Sequence, residues 1–215
     1  MRAFTVGAVP SALRHQVGAV EAIDAGGRPA RVYRPDGQGL LPTLVFFHGG
    51  GFVLGDLDTH DQLCRRFCSG ADAVVVSVDY RLALENPFPV AVDDASDALT
   101  WVCDHVEDFG GLPVVAVAGD SAGATLAAVL AQNEARVAAQ ILIYPAVDPF
   151  GHYVSRDLFA EGYFLLAAVR FGDFESEEAV LACAEPKLAR QHLLINVGLG
   201  VREHVTANPG GTSWR

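Results

Sequence analysis

Positive charge and long apolar runs are both scarce in this sequence. Lys and Arg number 15 against 26 Asp and Glu, so the net charge is -11. Such an acidic chain repels nucleic acids and anionic membrane surfaces. No stretch approaches the length that a transmembrane helix needs, and residues 1–10 lack the sustained apolar run of a signal peptide. We therefore expect no nucleic-acid partner, no membrane span and a cytoplasmic location.

Cysteine is scarce too, with only four residues in 215. Four cysteines do not form a disulfide framework at this length, which is consistent with the cytoplasm. Cys64 and Cys68 are one helical turn apart, and His60 lies one turn earlier. Because this spacing offers no fourth ligand, we expect no metal site and interpret the cysteines as a helix face turned towards the core.

Apolar residues, in contrast, make up 51% of the chain and predict a large core in one domain. Short apolar strands alternate with helical patterns, which predicts an α/β fold with a mostly parallel sheet and helices on both faces. The predicted strands are residues 43–47, 73–78, 114–118 and 140–144, and the predicted helices are residues 61–69, 92–105 and 124–131. Residues 31–34 are typical of an edge strand, and residues 191–197 resemble a further strand. Residues 1–27 carry little pattern, apart from 11–17, which are compatible with a short helix.

The central motif is Gly-x-Ser-x-Gly at residues 119–123, between a predicted strand and a predicted helix. A turn this tight has no room for side chains two residues before and two residues after the serine. It would present the Ser121 hydroxyl at the top of the sheet, with the Ala122 N–H directed at a developing oxyanion. The alternative is an ordinary strand–turn–helix with an inert serine.

A second glycine motif, HGGGF at residues 48–52, also begins where a predicted strand ends. In a parallel sheet the carboxyl ends of the strands lie on one rim, so the two motifs are predicted to meet there. Bare glycine N–H groups, together with the Ala122 N–H, can form an oxyanion hole. A flexible turn and a phosphate-binding loop are the alternatives, and the Lys-Ser/Thr of a P-loop is missing.

Several further segments of the sequence match one known protein family, and they occur in the order in which that family has them. With these motifs the chain resembles the hormone-sensitive-lipase-like (bacterial family IV) esterases of the α/β-hydrolase superfamily, from about residue 31 to about residue 165. The matching segments are HGGGF (48–52), GDLDTHD (55–61), VDYRLA (78–83), PFP (87–89), GDSAG (119–123), YP (144–145) and EGYF (161–164). We therefore expect a single α/β-hydrolase domain over 1–215, with an N-terminal segment (1–30), this core and a divergent C-terminal segment (166–215).

The resemblance also implies roles for individual residues. Ser121 would be the nucleophile, and Gly50, Gly51 and Ala122 would supply the oxyanion hole. His48 and Asp120 would support these groups, and Phe52 with residues 56–61 would line the substrate pocket. The family hydrolyses carboxylic esters with short to medium acyl chains through an acyl-enzyme, without a cofactor.

The acid and histidine motifs of that family have no counterpart after residue 165. The triad acid and base therefore stay unassigned, with Asp173 and Glu203 as candidate acids and His152, His192 and His204 as candidate bases. We expect a truncated or divergent C-terminal end and an incomplete sheet with an exposed edge. Three hypotheses follow: an active serine esterase on a small ester, a catalytically impaired relic or binding module, and a homo-oligomer paired through that edge.

Overall fold

Strands and helices alternate along most of the chain. A computed structural model describes residues 13–37, 39–147 and 192–195. The strands are β1 (Ala19–Asp24), β2 (Pro29–Arg34), β3 (Leu41–Phe47), β4 (Val74–Val78), β5 (Gly111–Asp120), β6 (Val137–Ile143) and β7 (His192–Ile195). The helices are α1 (Asp61–Ala71), α2 (Val90–His105) and α3 (Ala122–Asn133). None of the helices in these ranges is long and apolar enough to cross a membrane.

The strands form one sheet in the order β1-β2-β4-β3-β5-β6-β7. The pairs β1–β2 and β2–β4 are antiparallel, and every pair from β4 through to β7 is parallel. The predicted parallel α/β sheet is therefore confirmed. The prediction of an edge strand at residues 31–34 is wrong, because β1 pairs with the outer side of β2 over its whole length.

The core lies on both faces of the sheet, as predicted. Alternate residues of β3 point to opposite faces: Val45 and Phe47 pack with residues of α2 and α3, whereas Phe46 packs with α1. Cys64 and Cys68 of α1 are buried in the cluster around Phe46, which confirms their predicted core position. Burial raises the pKa of Cys64 to about 12 and that of Cys68 to about 11, so both stay protonated thiols.

The register between β3 and β5 positions the functional segments. These strands are parallel neighbours with Phe47 opposite Gly119. The residues that follow each strand therefore leave the sheet side by side at one rim. This arrangement brings residues 48–52 next to residues 120–122, as the sequence predicted.

Candidate active site

Ser121 occupies a strained turn between β5 and α3. Its φ is 50° and its ψ is -118°, a combination that non-glycine residues rarely adopt. Two backbone hydrogen bonds hold it there: its N–H donates to the Ile143 carbonyl at 2.9 Å, and its carbonyl accepts from the Thr125 N–H at 3.0 Å. The serine is only partly buried.

The two glycines that flank the serine leave no space for a side chain. A Cβ on Gly123 would lie 1.9 Å from the Phe47 carbonyl oxygen, and a Cβ on Gly119 would lie 2.3 Å from the Gly123 carbonyl carbon. Both distances are far below a van der Waals contact. The first turn of α3 therefore packs directly on the end of β3, and this close approach is what the Gly-x-Ser-x-Gly pattern predicted.

The glycine loop after β3 exposes backbone donors next to the serine. Gly50 and Gly51 have φ values of 125° and 61°. The Gly50 carbonyl accepts hydrogen bonds from the N–H groups of Val53 and Leu54, at 3.1 and 3.0 Å. Within the described ranges no group accepts a hydrogen bond from the N–H of Gly50, Gly51 or Ala122. With the positive end of α3 beside them, these donors suit a developing negative charge.

Asp120, directly before the serine, joins the two motifs. Its Oδ1 accepts a hydrogen bond from the Gly49 N–H at 2.9 Å and lies 3.1 Å from His60 Nε2. The Tyr144 hydroxyl donates to Oδ2 at 3.5 Å. Burial raises the pKa of Asp120, but the hydrogen bonds from His60 and Gly49 outweigh burial and lower this pKa overall. Asp120 is therefore a buried carboxylate.

His48 supports the glycine loop from within the protein. Its Nδ1 donates a hydrogen bond to the Gly49 carbonyl at 2.8 Å, which fixes the proton on Nδ1. Its ring stacks on Tyr80 at 4.4 Å between ring centres, and the Tyr80 hydroxyl donates to the His48 carbonyl at 2.7 Å. Burial lowers the pKa of His48 to about 4, so the ring is neutral at neutral pH.

The spacing of His60 from Cys64 and Cys68 in the sequence predicts no partner for its ring. In the structure its Nε2 lies 3.1 Å from Asp120 Oδ1, on β5. No local pattern predicts that contact, because it depends on how α1 packs on the sheet. The candidates His152, Asp173, Glu203 and His204 lie outside the described residues. His192 opens β7, and only its backbone is described.

Comparisons with known proteins agree with this geometry. The profile of the alpha/beta hydrolase fold family matches residues 44–200. Carboxylic ester hydrolase LipN of Mycobacterium tuberculosis is 52% identical over 152 residues, which are 66% of this chain and 40% of LipN. Esterase LipI of the same organism is 50% identical over 58% of this chain and 42% of its own length. The chain thus spans less than half the length of these two relatives.

A solved structure shows the same architecture. The hyperthermophilic esterase from Pyrobaculum calidifontis superposes with a TM-score of 0.76 at 42% identity, covering 84% of this chain and 67% of that one. The family profile covers more than half of the chain, and the resemblance to hormone-sensitive-lipase-like esterases is confirmed. The chain belongs to the α/β-hydrolase fold family.

Proposed function

We propose that this protein is a serine carboxylic-ester hydrolase that acts on small esters with short to medium acyl chains. One observation carries the proposal. The Phe47–Gly119 register brings the strained Ser121 turn and the glycine loop to one rim, which supports Ser121 as the proposed nucleophile and the loop N–H groups as the proposed oxyanion donors. The names of the relatives, esterase and carboxylic ester hydrolase, support the same reaction class.

The proposed reaction proceeds through an acyl-enzyme. The Ser121 Oγ attacks the ester carbonyl carbon while a base takes its proton, and the N–H groups of Gly50, Gly51 and Ala122 bind the resulting oxyanion. The C–O bond to the alcohol then breaks, and the alcohol leaves with that proton. Water attacks the acyl-enzyme in the same way and releases the carboxylic acid and free Ser121. The acid and base are proposed to come from residues 148–215.

The test is steady-state hydrolysis of p-nitrophenyl butyrate by the wild type and by Ser121→Ala. We expect a Ser121-dependent rate of at least about 1 s⁻¹, which is ordinary for an enzyme. Stoichiometric labelling of the wild type, and not of the variant, by a fluorophosphonate would identify the nucleophile independently. Equal rates for both proteins would contradict the proposal and favour the impaired relic or binding module. The cytoplasmic location and the homo-oligomer remain predictions.

A further inference from the structure

A buried carboxylate next to an oxyanion site poses an electrostatic problem. Asp120 immediately precedes Ser121 and binds the Gly49 N–H, so its negative charge lies in the same network as the proposed oxyanion hole. Negative charge develops in that hole during ester hydrolysis, and like charges repel strongly where water is excluded. An uncompensated carboxylate at this position would therefore raise the barrier of the reaction it is meant to support.

His60 supplies the compensation. Its Nε2 lies 3.1 Å from Asp120 Oδ1, and a carboxylate oxygen can only accept, so Nε2 carries a proton and donates. The same Oδ1 also accepts the Gly49 N–H at 2.9 Å. One oxygen atom thus connects His60 to the glycine loop on one side, while the Asp120 backbone leads directly into Ser121.

The loop before α1 fixes the position of the His60 ring. Asp56 Oδ1 accepts the N–H of Asp58 at 2.9 Å and that of Thr59 at 2.8 Å, which forms a tight turn. The Thr59 hydroxyl lies 3.0 Å from His60 Nδ1. Both ring nitrogens of His60 therefore have partners, and the ring is held in one orientation.

We infer that His60 is a positioning residue for the oxyanion hole: through Asp120 Oδ1 it holds the glycine loop in place and offsets the Asp120 charge. This inference rests on the proposed esterase function. Both His60 ring nitrogens are engaged by protein groups, Asp120 and Thr59, so we assign His60 no direct role in substrate binding, and its effect is expected where negative charge develops. Its loss should therefore lower kcat and leave KM nearly unchanged.

A double-mutant cycle tests the charge argument. His60→Phe keeps a ring of similar size without the donor, and we expect kcat on p-nitrophenyl butyrate to fall about 10- to 100-fold. Asp120→Asn keeps an oxygen for the Gly49 N–H but removes the charge, so adding His60→Phe to it should cost less than about fivefold. An equal cost of His60→Phe in both backgrounds would overturn the inference.

Controls separate this role from a purely structural one. His60→Gln retains a neutral donor and should recover part of kcat, and His60→Phe should melt within a few degrees of the wild type. His105→Phe is the matched control, because His105 ends α2 and bonds to the Trp101 carbonyl at 2.8 Å, away from the rim. We expect it to leave kcat unchanged. A kcat loss that follows the melting temperature across these variants would contradict a positioning role.

A measurement that does not depend on catalysis separates the proposed esterase function from the proposed role of His60. If the wild type shows no Ser121-dependent hydrolysis, the proposed function fails, and NMR hydrogen exchange of the Gly49 amide decides the inference instead. His60→Phe should raise that exchange rate at least about tenfold and leave the amides of β4 unchanged. Unchanged Gly49 exchange would mean that Asp120 holds the loop without His60, and the inference would be wrong.

Discussion

At the scale of single residues, the site contains contacts between buried polar side chains that no sequence motif predicts, such as the contact between His60 and Asp120. The motif at residues 119–123 was sufficient to predict the strained serine, because a tight turn imposes its own residue types. The contact between His60 and Asp120 was not predictable in that way. It joins two segments far apart in the chain, and its distance is set by the packing of α1 on the sheet.

The buried His48 makes stability depend on pH. Its pKa is lowered from 6.5 in the unfolded chain to about 4 in the folded protein, because burial disfavours the charged ring. The unfolded state therefore binds more protons between these values, and the folded state loses stability as the pH falls through this window. We expect the free energy of unfolding to fall by about 2 kcal/mol between pH 7 and pH 5 from this residue.

Urea unfolding at several pH values measures the effect. His48→Gln removes the titrating ring, so the variant should show a shallower pH dependence than the wild type over the same range, whatever its absolute stability. NMR titration of the His48 ring in the folded wild type gives an independent value for its pKa. Stability curves that fall in parallel for the two proteins would show that His48 does not carry the pH dependence.

At the scale of elements, strands that are buried on both faces were predictable from the sequence. An exposed strand, which is recognised only by its hydrogen-bonded pairing with a neighbour, was not. β3 and β4 are continuous apolar runs and appear where the sequence placed them, within two residues. Most residues of β1 are exposed, so the strand needs no run of apolar residues that would predict it from the sequence. Only its hydrogen-bonded pairing with β2 identifies it as a strand. Missing β1 also caused the wrong edge prediction for β2, because a strand's neighbours follow from topology rather than from local pattern.

The contact between α3 and β3 gives a prediction at this scale. Gly123→Ala places a methyl group against the Phe47 carbonyl, where backbone cannot yield as a flexible side chain can. Helix α3 must then move away from the sheet end. We expect the free energy of unfolding to fall by about 3 kcal/mol or more in urea titrations, because overpacking against rigid structure is costly. Ser121-dependent hydrolysis should fall with it, since Ser121 is held between the two elements.

The matched control is Gly70→Ala in α1. Gly70 is exposed, and an added Cβ there meets nothing within 4 Å. Alanine is the better helix former, so this variant should gain about 0.5–1 kcal/mol and keep full activity. A Gly123→Ala protein as stable as the wild type would show that the end of β3 and the start of α3 are less closely packed than the structure indicates.

At the scale of the whole molecule, the proposed esterase mechanism needs a base for Ser121, and the positions of the histidines narrow the choice. Seven histidines are present, and four have other partners in the described residues. His15 bonds to Ser69 and His105 to Trp101, whereas His48 and His60 hold the glycine loop network. The family acid and histidine motifs were not found after residue 165, so only sheet topology can rank the remaining three, His152, His192 and His204.

The register of β7 ranks them. Ser121 bonds to Ile143 at the carboxyl end of β6, and Ile143 pairs with Ile195 at the same end of β7. His192 pairs with Gln140 instead, three residues before Ile143 and therefore about 10 Å from the rim. The strand register therefore argues against His192 as the base. It leaves His152 and His204, which lie outside the described residues, as the candidates from the sequence.

We therefore expect His152→Gln or His204→Gln to lower kcat on p-nitrophenyl butyrate at least about 10³-fold, as loss of a triad base does in serine hydrolases. His192→Gln should stay within about twofold of the wild type and serves as the matched control. Fluorophosphonate labelling of Ser121 should slow in the same variant that loses kcat, because both reactions need the activated hydroxyl. A loss confined to His192→Gln would show that β7 is displaced relative to β6. Full activity in all three variants would mean that Ser121 is activated without any of these histidines.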